Sequence, residues 1–276
     1  MSGGRWRFVA LVVACLTPAV MGLDQSQRGQ VLAEGLAAYD QGVRTRRSDP
    51  VAARRAFDEA AARFQLLLDA GVETGWIHYN LANALLQRDD LGRAIAHYRR
   101  GLELEPGAAR ITHNLAHARS LRRNQIAPSG GRALRQAVLA WHHGTTRTTR
   151  LVVCIVAYTA FWLLLGVDRF RPDGRWRITA GIAAAIALLT GGSLAADAAG
   201  WGARPAGVVV VDDVVVRKGN GEGYEPQFQE PLHAGVELEI VEERGVWLQV
   251  ELPDGKTGWL RSDQIARVGS QPAAMS

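Results

Sequence analysis

Two long stretches without any charge constrain the fold of this 276-residue chain more than any other feature. The first, residues 151–167, has 17 residues, and the second, residues 178–196, has 19. Each can cross a hydrocarbon core of about 30 Å as a helix, although the first is barely long enough. Because lipid cannot bond to exposed backbone groups, we expect both to be helical. The sequence therefore predicts transmembrane helices at 151–167 and 178–196, and the alternative is a buried hairpin in a soluble protein.

The loop between the two stretches, residues 168–177, predicts their orientation. Its basic residues are Arg169, Arg171, Arg175 and Arg177. Short loops rich in arginine stay in the cytoplasm, so we expect the flanking domains on the extracytoplasmic side of the membrane. Arg147 and Arg150, just before the first stretch, weaken the contrast in charge.

The first 22 residues have the pattern of an export signal. Arg5 and Arg7 precede an apolar core at 8–20, and Val20 and Gly22 are small enough to stand before a cleavage site. We predict a signal peptide over residues 1–22, and an uncleaved N-terminal anchor is the alternative.

A helical repeat is predicted within residues 24–127. Residues 75–106 read GWIHYNLANALLQRDDLGRAIAHYRRGLELEP. Large and small residues alternate there at fixed steps, and the small ones let helix backbones approach closely. These packing steps are Leu81, Ala82, Leu85, Ala94, Tyr98, Gly101 and Pro106. The spacing resembles the 34-residue tetratricopeptide (TPR) family, although His78 stands where that family has a tryptophan.

One such repeat cannot bury its own apolar face, so neighbouring repeats are expected. The upstream packing steps are Gly35, Ala38, Tyr39, Ala60, Phe64 and Leu67, interrupted by a long turn at 43–50. Downstream, ITHNLAHAR at 111–119 echoes the first helix of the repeat. We predict two repeats and a closing helix, followed by a linker and juxtamembrane segment at 128–150.

The TPR resemblance implies a peptide-binding groove on the face made by the first helices. The matching positions are Trp76, Tyr79, Asn80, Asn83, Gln87, Arg110, Asn114 and His117. Asparagine amides can bond a peptide backbone or a C-terminal carboxylate, and Arg110 adds positive charge. The alternative is a solvated polar face without a ligand.

Residues 204–269 read as a small β-rich module. Val236, Leu238 and Ile240 alternate with polar residues, and Pro-Asp-Gly at 253–255 forms a hairpin turn. The run VVVVDDVVVRKG predicts two further strands around Asp212 and Asp213. Together with AGVELEIVEERGVWLQV and DGKTGWLRSDQI, this resembles the bacterial SH3 family, which implies a small barrel. The resemblance places Tyr224, Trp247 and Trp259 at its surface, and we predict a disordered tail at 270–276.

Charge is distributed unevenly outside the apolar stretches. Basic residues outnumber acidic ones by 19 to 12 over residues 24–150, and the balance reverses to 7 to 12 over residues 204–276. No basic stripe is interleaved with aromatic residues, so we expect no nucleic-acid partner.

The sequence lacks recognisable catalytic and metal-binding motifs. It contains neither a GxSxG nucleophile elbow nor an HExxH zinc motif, and its two cysteines, Cys15 and Cys154, lie in apolar runs. We predict that the protein is not an enzyme and has no cofactor or metal site.

The order of export signal, TPR repeats, two membrane spans and SH3 module is similar to the BatE-like proteins of the aerotolerance (Bat) family. The stretch that carries the resemblance best is 76–119. The resemblance implies partners that bear von Willebrand type A domains in the membrane, and a MoxR-type AAA+ ATPase. The predicted fold is multidomain: an α-helical TPR solenoid, a two-helix transmembrane hairpin and a small all-β SH3-like barrel. Two functions remain open: a scaffold whose repeats hold a partner protein, or an envelope sensor or peptidoglycan-peptide binder that uses the barrel.

Overall fold

The computed structural model describes residues 23–132, 134, 140–172, 174–199 and 205–269. The predicted signal peptide at 1–22 and the predicted tail at 270–276 therefore lie outside the described residues. The helices are α1 (Gln25–Thr45), α2 (Pro50–Asp69), α3 (Gly75–Gln87), α4 (Leu91–Leu104), α5 (Ala109–Ser120), α6 (Ala140–His143), α7 (Arg147–Phe170) and α8 (Gly174–Ala198). The strands are β1 (Ala206–Val209), β2 (Glu237–Arg244), β3 (Trp247–Glu251), β4 (Thr257–Arg261) and β5 (Ile265–Val268).

Polar side chains fix the starts of the first four helices. Asp24, Asp49, Thr74 and Asp90 each accept a hydrogen bond from a backbone N–H three residues later. Pro50 opens α2, where a missing N–H costs nothing. Because the caps satisfy donors that a helix start leaves unpaired, the chain can reverse within a few residues.

Helices α1 to α5 form the predicted helical repeat region. Ala82 and Ala94 are completely buried, so α3 and α4 approach closely, and the Tyr98 ring fills the space beside them. Leu81 and Leu85 are also buried, as is Gly101, whereas Pro106 is half-buried after α4. The small residues are thus found at the closest approach of the helices, which explains their fixed spacing.

The first helical hairpin is longer than the second. When the packing residues Gly35 and Ala60 are matched with Ala82 and Ala94, α1 runs five residues past the end of α3. By the same match, α2 begins seven residues before the start of α4. Half of the expected long turn at 43–50 is therefore helical, and only residues 46–49 lie between α1 and α2. We call the projecting part, residues 41–56, the hairpin tip.

Two helices, α7 and α8, are long and apolar enough to cross a membrane. They pack against each other as an antiparallel hairpin. Ion pairs close both of its ends: Arg150 Nη2 lies 2.7 Å from Asp197 Oδ2, and Arg177 Nε lies 2.8 Å from Asp168 Oδ2. The helices extend several residues beyond the predicted stretches because these charged residues continue them.

Strands β1 to β5 form a small antiparallel sheet in the order β4-β3-β2-β1-β5. The sheet is open, because β4 and β5 stand at opposite edges, so the predicted closed barrel is not confirmed. The second strand expected after Asp213 is replaced by isolated bridges such as Val214 to Leu232. Asp213 has a φ of 59°, which turns the backbone out of the extended conformation.

The sheet packs directly on the helical repeats. Val208 of β1 and Val268 of β5 belong to the same buried cluster as the repeat core. The start of α4 lies so close to β1 that a Cβ atom on Gly92 would overlap the carbonyl oxygen of Val209. We call this contact the repeat–sheet interface; it joins two parts of the chain that are separated by α7 and α8.

A buried carboxylate lies at the centre of the repeat–sheet interface. Arg119 forms two hydrogen bonds of 2.7 Å with Glu237, from Nε and from Nη2. Arg99 and Arg122 each lie 3.3 Å from the same carboxylate. Burial raises the pKa of Glu237, but the hydrogen bonds to Arg119 and the three positive charges outweigh burial and leave the pKa lowered. The basic repeat region and the acidic sheet region therefore contact each other at this buried carboxylate.

The segment after α5 also lies along the sheet. Asn124 accepts a hydrogen bond of 2.8 Å from the backbone N–H of His233. Arg132 contacts Glu239 at 2.8 Å and donates to the carbonyl of Leu252 at 3.0 Å. The first residues of the predicted linker at 128–150 are thus held against the sheet.

Candidate functional site

The candidate site is the face formed by α1, α3 and α5, the first helices of the repeats. Trp76 is 44% exposed there, and its ring meets Tyr79 edge-on with centroids 5.6 Å apart. Tyr79 in turn lies 6.2 Å from the buried ring of Tyr98. The core therefore continues outward into an aromatic surface on this face.

Two of the predicted groove asparagines form a hydrogen-bond network. Asn83 Oδ1 accepts from the hydroxyl of Tyr98 at 2.5 Å and from Asn114 Nδ2 at 2.8 Å. Asn114 Nδ2 also lies 3.4 Å from the hydroxyl of Tyr79. Burial raises the pKa of Tyr98, so its hydroxyl remains protonated and able to donate. These asparagines connect α3 to α5, and their amides are already engaged within the protein.

Four other predicted groove residues have side chains available to a ligand. Asn80 and Gln87 are half-buried, and Arg110 and His117 are exposed. Within the described part of the chain, none of these four side chains forms a hydrogen bond or an ion pair. Their polar groups therefore suit a peptide backbone or an acidic group better than those of Asn83 and Asn114 do.

Helix α1 adds apolar residues that the sequence analysis did not assign to the groove. Counted from the match of Gly35 with Ala82, Leu32 corresponds to Tyr79 and Leu36 to Asn83. Leu36 is 42% exposed, and Leu32 packs partly buried beside the repeat core. The same 47-residue offset, applied to the sequence, would have identified both. The face thus runs from apolar at α1, through aromatic at α3, to polar and basic at α5.

A pair of histidines lies between α3 and α4. His78 Nδ1 and His97 Nδ1 are 3.0 Å apart, and the rings stack with centroids separated by 5.2 Å. Burial lowers the pKa of His97 to about 4, and the neighbouring charges of His78 and Arg93 lower it further. Burial also lowers the pKa of His78, against the opposing effect of its hydrogen bond to Glu73.

The lowered pKa of His97 predicts that mild acid destabilises the repeats. Between the ordinary pKa of 6.5 and the folded value of about 4, the unfolded chain binds a proton that the folded chain does not. Lowering the pH from about 7.5 to about 5 should therefore cost about 2 kcal/mol of unfolding free energy through this residue. Urea titrations at both pH values measure the change. His97→Gln should lose much of the pH dependence; a variant as acid-sensitive as the natural protein would contradict the assignment.

A concavity of about 480 Å³ lies between α2 and α4, away from the candidate face. Its floor includes Ala61, Leu81 and Leu85, and its rim carries the ion pair of Asp58 with Arg88 at 2.5 Å. The rim charges neutralise each other, so we assign it no ligand. Over the described residues, no group of three or more His, Cys, Asp or Glu side chains is arranged to hold a metal ion.

The three predicted aromatic residues of the sheet have different surroundings. Tyr224 is 52% exposed, and its ring covers Gly219 so closely that a Cβ there would lie 2.6 Å from it. Trp247 is half-buried on β3. Trp259 is only 7% exposed, and the Arg244 guanidinium lies over its ring, 5.3 Å from the ring centre. Of the three, Tyr224 is the residue most open to a ligand.

The paired antiparallel helices and the exposed aromatic face define a helical-repeat interaction module. Residues 75–118 match the tetratricopeptide repeat family model. This segment spans α3, α4 and most of α5, and it contains every predicted groove residue. No curated protein and no solved structure matches the chain. The repeat match indicates a role in protein–protein interaction, and TPR repeats are typical of non-enzymatic modules.

Proposed function

We propose that this protein is a non-enzymatic, membrane-anchored scaffold of the bacterial cell envelope whose repeat face holds a partner protein. The observation that carries the proposal is the exposed Trp76 in edge-on contact with Tyr79, inside the segment that matches the TPR family. Aromatic side chains of this kind provide large contact area at small conformational cost and dominate many interfaces.

The bound element is proposed to be an extended peptide segment of the partner. Its apolar side chains would lie against Leu36 and Trp76, which are both partly exposed. Its backbone, or an acidic side chain or terminus, would be bonded by Asn80, Gln87 and Arg110. The gradient from apolar α1 to basic α5 sets the direction of the segment.

The anchor is proposed to be the hairpin of α7 and α8 in the bacterial inner membrane. Its charged residues form pairs at the two ends, Arg150 with Asp197 and Asp168 with Arg177, and leave the middle of each helix apolar. Intramembrane charges are costly, so this distribution suits a bilayer. Repeats and sheet are proposed to lie outside the cytoplasm, because the arginine-rich loop at 168–177 favours the cytoplasmic side.

The complex is proposed to be of the Bat/MoxR type, linked to stress or oxygen tolerance. Its partners would be membrane proteins with von Willebrand type A domains and a MoxR-type AAA+ ATPase, as the order of segments suggests. Residues 204–269 would act in it as an SH3-like module that is fixed to the repeats through Glu237.

The groove can be tested by substituting its two most exposed partner-facing residues. We expect the double variant Trp76→Ala, Arg110→Ala to recover at least about tenfold less partner from cross-linked bacterial membranes, because central aromatic and arginine residues carry most binding energy. Quantitative mass spectrometry should identify a von Willebrand type A protein among the lost partners. Tyr224→Ala, an exposed substitution in the loop between β1 and β2, serves as the control. Unchanged recovery in the groove variant, or loss only in the control, would favour a sheet-based ligand such as a cell-wall peptide.

The orientation can be tested by cysteine labelling in intact cells. In a chain with Cys15→Ser and Cys154→Ser, we expect Gly107→Cys to react with an impermeant thiol reagent once the outer membrane is permeabilised. Gly174→Cys, at the start of α8, should react only after the inner membrane is opened. The reverse pattern would place repeats and sheet in the cytoplasm.

A further inference from the structure

The hairpin tip carries a concentration of positive charge that the scaffold role does not use. Residues 41–56 contain five arginines and a single acidic residue, Asp49, a net charge of +4. The arginines are Arg44, Arg46, Arg47, Arg54 and Arg55, and all are exposed. At about 1.5 Å per helical residue, the tip projects roughly 8–10 Å beyond the end of the neighbouring repeat.

The tip is a well-formed helical hairpin. Phe57 packs so closely on α1 that a Cβ atom on Gly42 would lie 2.6 Å from its ring, and Tyr39 meets the same ring at 5.5 Å. Asp49 caps α2 by accepting from the backbone N–H of Val51 and of Ala52. The arginines are therefore held together at the end of a rigid element.

The arginines of the tip have no carboxylate partner, in contrast to several arginines elsewhere in the repeats. Arg63, Arg88 and Arg100, for example, form ion pairs with acidic residues. Across the described residues, none of the five tip arginines forms an ion pair. Arg44 bonds only the Gln41 side chain, and Arg54 only a backbone carbonyl at 3.5 Å. The charge of the tip is thus left for something outside this chain.

Two exposed valines accompany the arginines. Val43 is 51% exposed and Val51 is 64% exposed, one on each helix of the tip. A basic surface that also presents small apolar side chains is typical of segments that lie on anionic bilayers. Binding of an acidic protein would explain the positive charge of the tip but not its two exposed valines.

The position of the tip also favours a bilayer. Successive helices of the repeats are antiparallel, so the C-terminal ends of α1, α3 and α5 lie at one end of the array. The chain leaves that same end after Ser120 on its way to α7. The tip therefore lies at the end of the repeats from which the chain continues toward the proposed membrane hairpin.

We propose that the hairpin tip binds the surface of an anionic phospholipid membrane through its five arginines, with Val43 and Val51 at the headgroup level. This inference rests on the proposed membrane anchoring, because a tether on the same chain keeps the tip near the bilayer. Each arginine near an anionic surface contributes about 1 kcal/mol, or roughly a fivefold change in partition. The tip would fix the tilt of the repeats and hence the direction in which the groove faces.

The test uses the full chain, with Cys15→Ser and Cys154→Ser, reconstituted into vesicles. A fluorophore on Ser48→Cys reports contact of the tip with lipid through quenching by headgroup-labelled lipids. Vesicles of phosphatidylcholine are compared with vesicles that contain about 30% phosphatidylglycerol, at low and high salt. A label on Thr112→Cys, exposed on α5 away from the tip, is the positional control.

We expect quenching at Ser48→Cys that is several-fold stronger with phosphatidylglycerol and is lost at high salt. Replacing all five tip arginines by glutamine should remove it, whereas Arg28→Gln, at an exposed position near the start of α1, should leave it unchanged. Equal quenching in both vesicles, or quenching that survives the five substitutions, would overturn the proposal. Protection of the label on Ser48→Cys by added polyglutamate but not by lipid would also overturn the proposal. That result would favour an acidic protein partner.

Failure of the tip and failure of the anchor are separated by flotation after an alkaline wash. A chain that floats but shows no lipid-dependent quenching refutes the tip alone. A chain that is extracted refutes the anchor, and the tip is then judged by the quenching of the extracted chain on added phosphatidylglycerol vesicles.

Discussion

Glu237→Gln should lower the unfolding free energy of the body formed by the repeats and the sheet by about 3 kcal/mol, because it leaves three guanidinium groups around a neutral amide. The carboxylate is largely buried, and Arg119, Arg99 and Arg122 all lie within 3.3 Å of it. Removing one partner of a buried ion pair is far more destabilising than removing a surface pair, since the remaining charge stays desolvated. For a body of this size, the midpoint of thermal unfolding should fall by roughly 6–12 °C.

The matched control for this prediction is Glu242→Gln on the same strand. Glu242 also pairs with an arginine, Arg244, at 2.7 Å, but both side chains are substantially exposed. Exposed pairs contribute at most about 1 kcal/mol, so the control should melt close to the natural protein. Thermal unfolding in detergent, followed by circular dichroism, compares the three chains. Equal midpoints for Glu237→Gln and Glu242→Gln would mean that the repeat–sheet interface does not depend on the buried charge.

Tyr98→Ala should lower the unfolding free energy by about 4 kcal/mol, the usual range for deleting a large buried aromatic ring. The ring is completely buried between the helices of the repeat, and its hydroxyl donates to Asn83 at 2.5 Å. The substitution removes both the packing and the donor that holds Asn83 near Asn114. We therefore expect loss of helical structure at lower urea concentration and weaker partner binding at the candidate groove.

Tyr98→Phe separates the two contributions. It keeps the ring and removes only the hydroxyl, so the loss should be about 1 kcal/mol. Asn83 would still accept from Asn114 at 2.8 Å. Urea titrations of the two variants measure the difference, and a Phe variant as unstable as the Ala variant would show that the hydrogen bond, not packing, holds this part of the repeat.

The helical repeats could be predicted because their signal is local. Packing residues such as Ala82 and Ala94 recur at distances set by helix geometry, and the structure buries them completely. The apolar helices were equally predictable from uncharged length. By contrast, the valine run at 208–216 indicated two strands, whereas Val214 and Val216 are buried beside isolated bridges. Alternating burial predicts which valines point inward, but it does not determine which backbone pairs form.

The repeat–sheet interface could not be predicted from either part alone. Glu237 stands between Val236 and Leu238 and therefore reads as a solvent-facing position of an ordinary strand. Its partners lie more than 100 positions away in sequence, on α4 and α5. Only the uneven distribution of charge hinted at it. In the candidate groove, the asparagines were identified, but their bond to each other was not, because it depends on the spacing of α3 and α5.

The chain order of the repeat–sheet interface has a consequence for biogenesis. Strand β1 follows α8 in the chain, so the ribosome completes both apolar helices first. The residues that cover Gly92 and the three arginines around Glu237 are synthesised only afterwards. Until then the repeats present an uncovered basic end, which is recognisable to chaperones and proteases. Closure of the body formed by the repeats and the sheet thus marks molecules whose helical hairpin has been fully synthesised, and truncated products would be left with that end exposed.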